Sequence, residues 1–215
     1  MPRRPSPHEA LRCRLVDLAQ QIIPLVDGHP AVRSIRLVGS RAEGRASERS
    51  DWDFSVETDD FLALTEALPQ ILDPLNPLAQ QWDRLSGEWC WMVMLRGPVK
   101  VDLIFPQEPH SDEPPWEPNH ANLNAIEAHF WDWMLWMSGK QARGKAELVQ
   151  TELSKLSDHL LAPLGFERRP ASIAEAIDAY REARDRAEQQ FGVVVGRELE
   201  TAVAPAFAVA DLANP

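Results

Sequence analysis

The sequence predicts an α+β protein in which an N-terminal mixed β-sheet, flanked by helices, is followed by a C-terminal bundle of α-helices. Three observations lead to this prediction. Strand-like segments are concentrated in the first half of the chain, a proline-rich acidic segment follows them, and beyond it the apolar residues recur only at helical spacing. We therefore expect a sheet domain over residues 1–106, a linker over 107–118 and a helical domain over 119–215.

Strand and helix signals alternate in the N-terminal half. Runs rich in Val, Ile and aromatic residues predict five strands, at residues 32–38, 51–57, 80–85, 88–95 and 98–105. Capping residues and apolar residues at helical spacing predict helices from about residue 7 to the low twenties and at 60–71, and a short helix at 40–47. In the last strand, alternation places Lys100 and Asp102 together on one face of the sheet.

Beyond the proline-rich segment, helices are predicted at residues 119–137, 145–161, 172–190 and 197–212, the third of them opened by a capping box of Ser172 and Glu175. Residues 130–137 are apolar nearly all round, with Asp132 as the interruption, a pattern typical of a buried helix. We expect the tryptophans of this helix, Trp131, Trp133 and Trp136, to be core residues rather than a platform for stacking.

The composition restricts the classes of partner. The chain has a formal net charge of −11, which disfavours a nucleic-acid polymer and suits a cationic small molecule. The six His show no zinc-binding spacing, and Cys13 and Cys90 are expected to be buried, reduced thiols. Because the sequence shows neither a signal peptide nor about 18 consecutive apolar residues, we expect a soluble, cytoplasmic protein with no membrane partner.

The most informative pattern is a Gly-Ser pair at the end of one predicted strand, followed by two aspartates in the next. Gly39 and Ser40 precede Asp51 and Asp53 by ten intervening residues. Side chains alternate between the faces of a strand, so the two carboxylates point the same way, about 7 Å apart along the strand. Such carboxylates repel each other unless a cation lies between them, and hard oxygen ligands favour Mg²⁺.

This Gly-Ser pair, the Asp-x-Asp that follows, and a lone aspartate in a later apolar strand resemble the nucleotidyltransferase superfamily of the DNA polymerase β type. The resemblance is closer to the antibiotic-modifying branch, the aminoglycoside and lincosamide nucleotidyltransferases, which pair such a domain with a C-terminal helical bundle. The motif residues lie within 35–57 and 99–105. Over the rest of the chain only the architecture is similar.

The resemblance implies a catalytic set of three carboxylates, Asp51, Asp53 and Asp102, which bind Mg²⁺ in a two-metal site. Asp102 would also act as general base; the alternative, a structural charge on an edge strand, is disfavoured by its apolar neighbours. The implied reaction is attack of a small-molecule hydroxyl on the α-phosphorus of ATP or another NTP. It transfers a nucleoside monophosphate, AMP in the case of ATP, to an aminoglycoside-like acceptor and releases pyrophosphate.

The nucleotide-binding residues implied by the resemblance lie around the Gly-Ser turn. Gly39 permits close approach of a phosphate, and Ser40 presents its hydroxyl and N–H at the start of a helix. Arg41 is either a fork-shaped donor to a terminal phosphate or a solvated side chain. Ser50 and Gly44 shape the loop, and Ser50 is a further candidate for phosphate contact.

Four other polar residues are weaker candidates. Lys140 and Lys145 either reach the triphosphate from the helical domain or lie in a solvated turn, and Glu88 faces either a cationic substrate or solvent. His129 is expected to be a helix histidine whose hydrogen bonds are satisfied within the protein.

Two other functions remain alternatives at this stage. One is an antitoxin-type nucleotidyltransferase that modifies a partner protein, although such domains are shorter and lack the long helical segment. The other is a non-catalytic nucleotide-binding module, which the presence of all three carboxylates disfavours. The motif leaves open the acceptor, the preferred NTP, the oligomeric state and any role in antibiotic resistance.

Overall fold

A five-stranded mixed β-sheet with helices on both faces, followed by a helical region, confirms the predicted fold class. The computed structural model describes residues 18–47, 50–97, 99–111 and 113–208. In the N-terminal half the elements are α1 (residues 18–27), β1 (Val32–Val38), α2 (Gly39–Ala42), β2 (Trp52–Thr58), α3 (Phe61–Leu72), a 3₁₀ turn (Asp73–Leu75), β3 (Ala79–Trp82), β4 (Trp89–Leu95) and β5 (Val99–Phe105).

The C-terminal half is helical, as predicted. Its elements are α4 (Leu123–Ala142), α5 (Ala146–Leu156), a π-helical turn (Ser157–Leu161), α6 (Ile173–Phe191), α7 (Glu198–Val203) and α8 (Pro205–Ala208). The described residues do not include the predicted start of the first helix near residue 7 or the predicted end of the last helix near residue 212. Cys13 also lies outside them. Within the described ranges, no helix has the length and apolar character needed to traverse a lipid bilayer.

The order of the strands in the sheet is β1-β2-β5-β4-β3. β2 and β5 are parallel, whereas the other three neighbouring pairs are antiparallel. β5 therefore lies between β2 and β4, which excludes the edge-strand alternative for Asp102. In the β2–β5 ladder Asp53 pairs with Asp102, so the register places these two residues side by side inside the sheet.

The two faces of the sheet border different apolar cores. On one face, Phe54 of β2 and Leu103 of β5 pack in a cluster with residues of α1 and α3. On the other face, Met92 and Met94 of β4 belong to a cluster that continues into the C-terminal helices, beginning with α4. Lys100 and Asp102 lie on this second face, because Lys100 contacts α4. This confirms the alternation predicted for β5.

Several helix boundaries differ from the sequence prediction: among them, α1 continues to residue 27 and α4 extends to Ala142 rather than ending near residue 137. α2 is a single turn rather than a helix over 40–47, because Gly44 adopts a φ of +68° and turns the chain. α4 begins later than predicted, because the Asn119 N–H donates to Oδ1 of Asn122 at 2.9 Å and closes a turn in front of it. The last predicted helix is divided at Pro205, whose nitrogen carries no hydrogen to continue the helical ladder.

The segment predicted as a linker, residues 107–118, is anchored to both halves of the protein. The Glu113 N–H donates to the Arg84 carbonyl at 3.0 Å, and the Trp116 N–H donates to the His159 carbonyl at 2.9 Å. The Trp116 ring is buried, and the Arg84 guanidinium stacks over it at 4.0 Å. The segment is therefore held by specific contacts, while the predicted division into two domains stays a prediction.

Candidate active site

Three aspartates from two neighbouring strands converge at one place on the sheet. Asp51 directly precedes β2, Asp53 lies within it, and Asp102 pairs with Asp53 from β5. One carboxylate oxygen from each lies within 4.8 Å of the other two, the one such group of His, Cys, Asp or Glu found in the described part of the chain. Alternation along β2 and the parallel β2–β5 register thus bring together the three residues that the motif predicts.

Gly39 lies directly against this carboxylate cluster. Its φ of +67° is in the left-handed region that favours glycine, and a Cβ atom at this position would lie 2.4 Å from Oδ2 of Asp53. The close approach arises because Val38, the last residue of β1, pairs with Asp53. Contact with the Asp53 carboxylate is thus a reason for glycine at position 39 that is independent of the expected approach of a phosphate.

Arg41 contacts the backbone of the loop that leads to the aspartates. Its Nε donates to the carbonyls of Ser50 at 3.1 Å and Asp51 at 3.0 Å, and an Nη also donates to the Ser50 carbonyl. The guanidinium stacks over the Trp52 ring, 4.2 Å from its centroid. Arg41 is therefore neither free in solvent nor directed only at a phosphate site, the two arrangements expected from the sequence; it holds the backbone at the entry to β2.

The two serines of the predicted nucleotide-binding set flank the same loop. Ser50 is buried, and its Oγ accepts a 2.9 Å hydrogen bond from the Ser47 N–H, as expected for a residue that shapes the loop. Ser40 lies in α2, and its carbonyl accepts from the Arg45 N–H at 2.9 Å. Because α2 is only one turn long, it offers little aligned helix dipole to an anion. Phosphate contact by Ser40 or Ser50 stays a prediction.

A buried lysine joins the carboxylate cluster to the C-terminal half of the chain. Nζ of Lys100 lies 2.7 Å from Oδ1 of Asp102 and 2.7 Å from Oδ1 of Asp132 in α4. All three side chains are buried. Strand alternation predicts that Lys100 shares a face with Asp102 but gives it no role, and Asp132 stands in the sequence only as an interruption of an apolar run. A lone charge inside a buried helix was the available signal, because such a charge requires a partner.

The same helix carries positive charge towards the cluster in its last turn. Lys140 lies within α4, and its Nζ is 4.5 Å from the centroid of the Trp136 ring. The charge of Lys140 acts to lower the pKa of Asp51 and of Asp53. By contrast, Lys145 is exposed at the start of α5. Lys140 and Lys145 were both predicted as candidates for triphosphate binding. Of the two, Lys140 is the one whose charge affects the pKa of the carboxylates.

Burial and mutual repulsion make ionisation of the cluster unfavourable. Burial raises the pKa of Asp51, and the charge of Asp53 raises it further. The pKa of Asp53 is raised by burial and by Asp102, and burial raises the pKa of Asp102 against the opposing effect of Lys100. In α4, burial raises the pKa of Asp132 to about 8. Bringing a cation to these oxygens would relieve both effects, so the donor set fits a hard divalent ion such as Mg²⁺.

The aromatic residues of α4 and its buried histidine are mainly structural. Trp131 and Trp133 are buried in the core, as predicted, whereas Trp136 is partly exposed. His129 is buried, and its Nδ1 accepts from Nε1 of Trp116 at 3.1 Å. This confirms that His129 is a helix histidine with a partner inside the protein.

Two remaining candidates lie in or next to β4. Glu88 is exposed just before this strand. Cys90 is a buried free thiol whose pKa is raised well above its usual value by burial and by Asp102. The reduced, buried state predicted for Cys90 agrees with this environment.

A scan of protein-family models and a search of curated proteins found no match to this sequence. Among solved structures, the chain is similar to an aminoglycoside 6-adenyltransferase from Bacillus subtilis, with 10% identity, a TM-score of 0.33, and coverage of 89% of this chain and 97% of that one. It is also similar to the GLD-2/RNP-8 complex, with 16% identity, a TM-score of 0.34, and coverage of 76% of this chain and 61% of that one.

A third similar structure is the polymerase core of TRAMP, an RNA surveillance complex, with 10% identity, a TM-score of 0.36, and coverage of 86% of this chain and 59% of that one. The chain thus spans about three fifths of the chain matched in each of these last two structures. At TM-scores below 0.5, none of the three likenesses identifies an activity.

Proposed function

We propose that this protein is a metal-dependent nucleotidyltransferase that transfers AMP from ATP to a hydroxyl group of a small, cationic, aminoglycoside-like molecule. The observation that carries the proposal is the convergence of the Asp51, Asp53 and Asp102 carboxylates beside the turn at Gly39. One buried and two half-buried carboxylates at such short range repel one another without a cation, which favours a role in binding one.

The three aspartates would hold the divalent ions, with Asp51 and Asp53 also orienting the triphosphate. When bound, the ions supply the positive charge that stabilises the attacking and leaving oxygens of the displacement. Arg41 holds the carbonyl groups of Ser50 and Asp51 and thereby fixes the direction in which the Asp51 side chain leaves the backbone.

Asp102 is the proposed general base. The acceptor oxygen forms a bond to the α-phosphorus, the bond from the α-phosphorus to the bridging oxygen breaks, and pyrophosphate leaves with the electron pair. The hydroxyl proton passes to the Asp102 carboxylate. Burial raises the pKa of this group, which makes it a better proton acceptor than an exposed aspartate.

The charge distribution supports a cationic acceptor. The chain carries 33 acidic against 22 basic side chains, and a negatively charged surface attracts polyamine-like molecules while it repels nucleic-acid polymers. Lys140, on the last turn of α4, is placed where its charge acts on Asp51 and Asp53, and we propose that it contacts the triphosphate.

The test is transfer of label from ATP to a panel of aminoglycosides and lincosamides in the presence of Mg²⁺. Label at the α-phosphorus should enter the product and label at the γ-phosphorus should leave in pyrophosphate, which separates nucleotidyl from phosphoryl transfer. Asp53→Asn should abolish transfer. Asp59→Asn is the matched control, because Asp59 is exposed at the other end of β2, where it pairs with Arg33.

Equal transfer by wild type and Asp53→Asn would overturn the assignment of the site. Label that enters a co-purifying protein instead of a small molecule would replace the proposed acceptor by a protein partner. Binding of ATP without Mg²⁺ dependence and without turnover would indicate a nucleotide-binding module.

A further inference from the structure

We infer that Asp132, in the C-terminal half of the chain, is a positioning residue for the proposed metal site and that it acts on Asp102 through Lys100. The inference rests on the proposed metal-dependent function. Its basis is the chain of contacts from Asp132 to Lys100 and from Lys100 to Asp102, both at 2.7 Å between the ammonium nitrogen and a carboxylate oxygen.

The ammonium group of Lys100 is shared between the carboxyl groups of Asp102 and Asp132. Lys100 is buried, and both of its acidic partners are buried as well, so water does not screen these contacts. The ammonium group lies between the two side chains, 2.7 Å from an oxygen of each, so Asp132 restrains the position from which Lys100 contacts Asp102.

Lys100 engages Oδ1 of Asp102, which fixes the rotation of that carboxyl group. Asp102 contributes one oxygen to the cluster with Asp51 and Asp53, so its orientation determines whether the three carboxylates can meet at one ion. Asp132 anchors the ammonium group that sets this orientation.

Asp132 lies in the same helix as a second residue that acts on the carboxylate cluster. Asp132 and Lys140 are both in α4, two helical turns apart, so the helix that fixes Lys100 also carries the lysine whose charge reaches Asp51 and Asp53. A single rigid element thus connects both ends of the proposed site. Partners that orient a metal ligand typically change metal affinity 10- to 100-fold when they are removed.

The test measures Mn²⁺ binding by electron paramagnetic resonance in the absence of nucleotide and acceptor, so it does not depend on turnover. Asp132→Asn removes one carboxyl contact of Lys100, so that its ammonium group is held by Asp102 alone. We expect Mn²⁺ affinity to fall roughly tenfold. Glu127→Gln is the matched control, because Glu127 is a buried carboxylate of the same helix that contacts Tyr180 and Arg184 instead. It is expected to lower stability and leave Mn²⁺ affinity unchanged.

A double-variant comparison tests the route through Lys100. In a Lys100→Met background, the additional Asp132→Asn change should alter Mn²⁺ affinity less than about twofold, because residues that act through a shared partner are not additive. An equal loss in both backgrounds would overturn the route. The inference itself would be overturned if folded Asp132→Asn bound Mn²⁺ as tightly as the wild type. It would also be overturned if Glu127→Gln lost as much Mn²⁺ affinity as Asp132→Asn.

A measurement on the unaltered protein covers the case in which Asp132→Asn fails to fold. On titration with Mg²⁺, the carboxyl ¹³C resonance of Asp132 should shift while that of Glu127 stays constant; an unmoved Asp132 resonance would contradict the inference. If Mn²⁺ binds and responds as expected but no acceptor is labelled, the proposed transfer fails while the positioning role stands. If the wild type binds no Mn²⁺, both fail.

Discussion

Gly39 and Asp53 are in such close contact that no side chain fits between them. A Cβ atom on residue 39 would lie 2.4 Å from Oδ2 of Asp53, well inside van der Waals contact, and the φ of residue 39 is +67°. The turn after β1 and the carboxylate in β2 are therefore parts of one arrangement, in which the glycine leaves room for the acidic group.

Gly39→Ala is expected to reduce both stability and metal binding. Its alanine methyl group would displace the Asp53 carboxylate, and the left-handed backbone adds about 1–3 kcal/mol of strain. Gly44→Ala is the control, because Gly44 has nearly the same φ, +68°, but no atom within 4 Å of the added carbon. Urea unfolding should show a cost for both variants, whereas Mn²⁺ binding should be lost in Gly39→Ala alone. Loss of Mn²⁺ binding in both would point to loop strain rather than to contact with Asp53.

Arg41→Lys is expected to weaken metal-dependent activity although the charge is retained. An ammonium group cannot reproduce the fork of donors that Arg41 presents to the Ser50 and Asp51 carbonyls, nor its stacking on Trp52. We expect roughly a tenfold fall in kcat/KM, in the range for residues that orient a metal ligand. Arg45→Lys, at an exposed arginine on the same loop, should behave as wild type. A purely phosphate-binding role for Arg41 would instead raise KM for ATP and leave Mn²⁺ affinity unchanged.

The stability of the metal-free protein should depend on pH through the carboxylate cluster. The folded-state pKa of Asp53 is raised by burial and by Asp102, so between its ordinary pKa of about 3.9 and the raised value the folded state binds more protons than the unfolded state. Stability contributed by this group is present at low pH and is lost as the pH rises through that window.

The check is the difference in unfolding free energy between wild type and Asp53→Asn, measured in the presence of EDTA. The unfolding free energy of Asp53→Asn should increase relative to that of the wild type as the pH rises from about 4, because an amide has no charge to desolvate. Adding Mg²⁺ should reverse the trend for the wild type. A difference that stays constant with pH would show that the pKa of Asp53 is not raised in the folded protein.

A fourth change should affect stability without affecting the site. The Ser172 side chain accepts a hydrogen bond from the Glu175 N–H at 3.2 Å and caps α6, as the sequence predicts. Ser172→Ala should lower the unfolding free energy by about 1 kcal/mol, the usual value of an N-terminal cap. Mn²⁺ affinity of the folded protein should be unchanged; a parallel loss would mean that α6 is coupled to the cluster.

The elements that the sequence predicted well are those with a local signal. Alternation in β5 correctly placed Lys100 and Asp102 on one face, and the cap at Ser172 correctly marked the start of α6. Alternation in β2 likewise placed Asp51 and Asp53 on one face, whereas the approach of Asp102 from a distant strand was expected only from the family resemblance. Local rules of this kind depend only on backbone geometry.

The features that the sequence did not predict depend on contacts between distant segments. Nothing near Asp132 in the chain indicates that its partner is Lys100, because the pair forms only when α4 packs on the sheet. The stacking of Arg41 on Trp52 likewise depends on how the intervening loop folds back. Helix ends were predicted less well for a related reason, since side-chain turns such as that of Asn119 with Asn122 decide them.

The insertion of β5 between β2 and β4 has a consequence for the order of folding. When only the β1–β2 hairpin has formed, Asp51 and Asp53 are in place but Asp102 is not. Asp102 joins them only when β5, from much later in the chain, pairs with β2. Pairings between such remote segments tend to form late and slowly. Mg²⁺ should therefore prolong the lifetime of the assembled protein while leaving its rate of formation nearly unchanged.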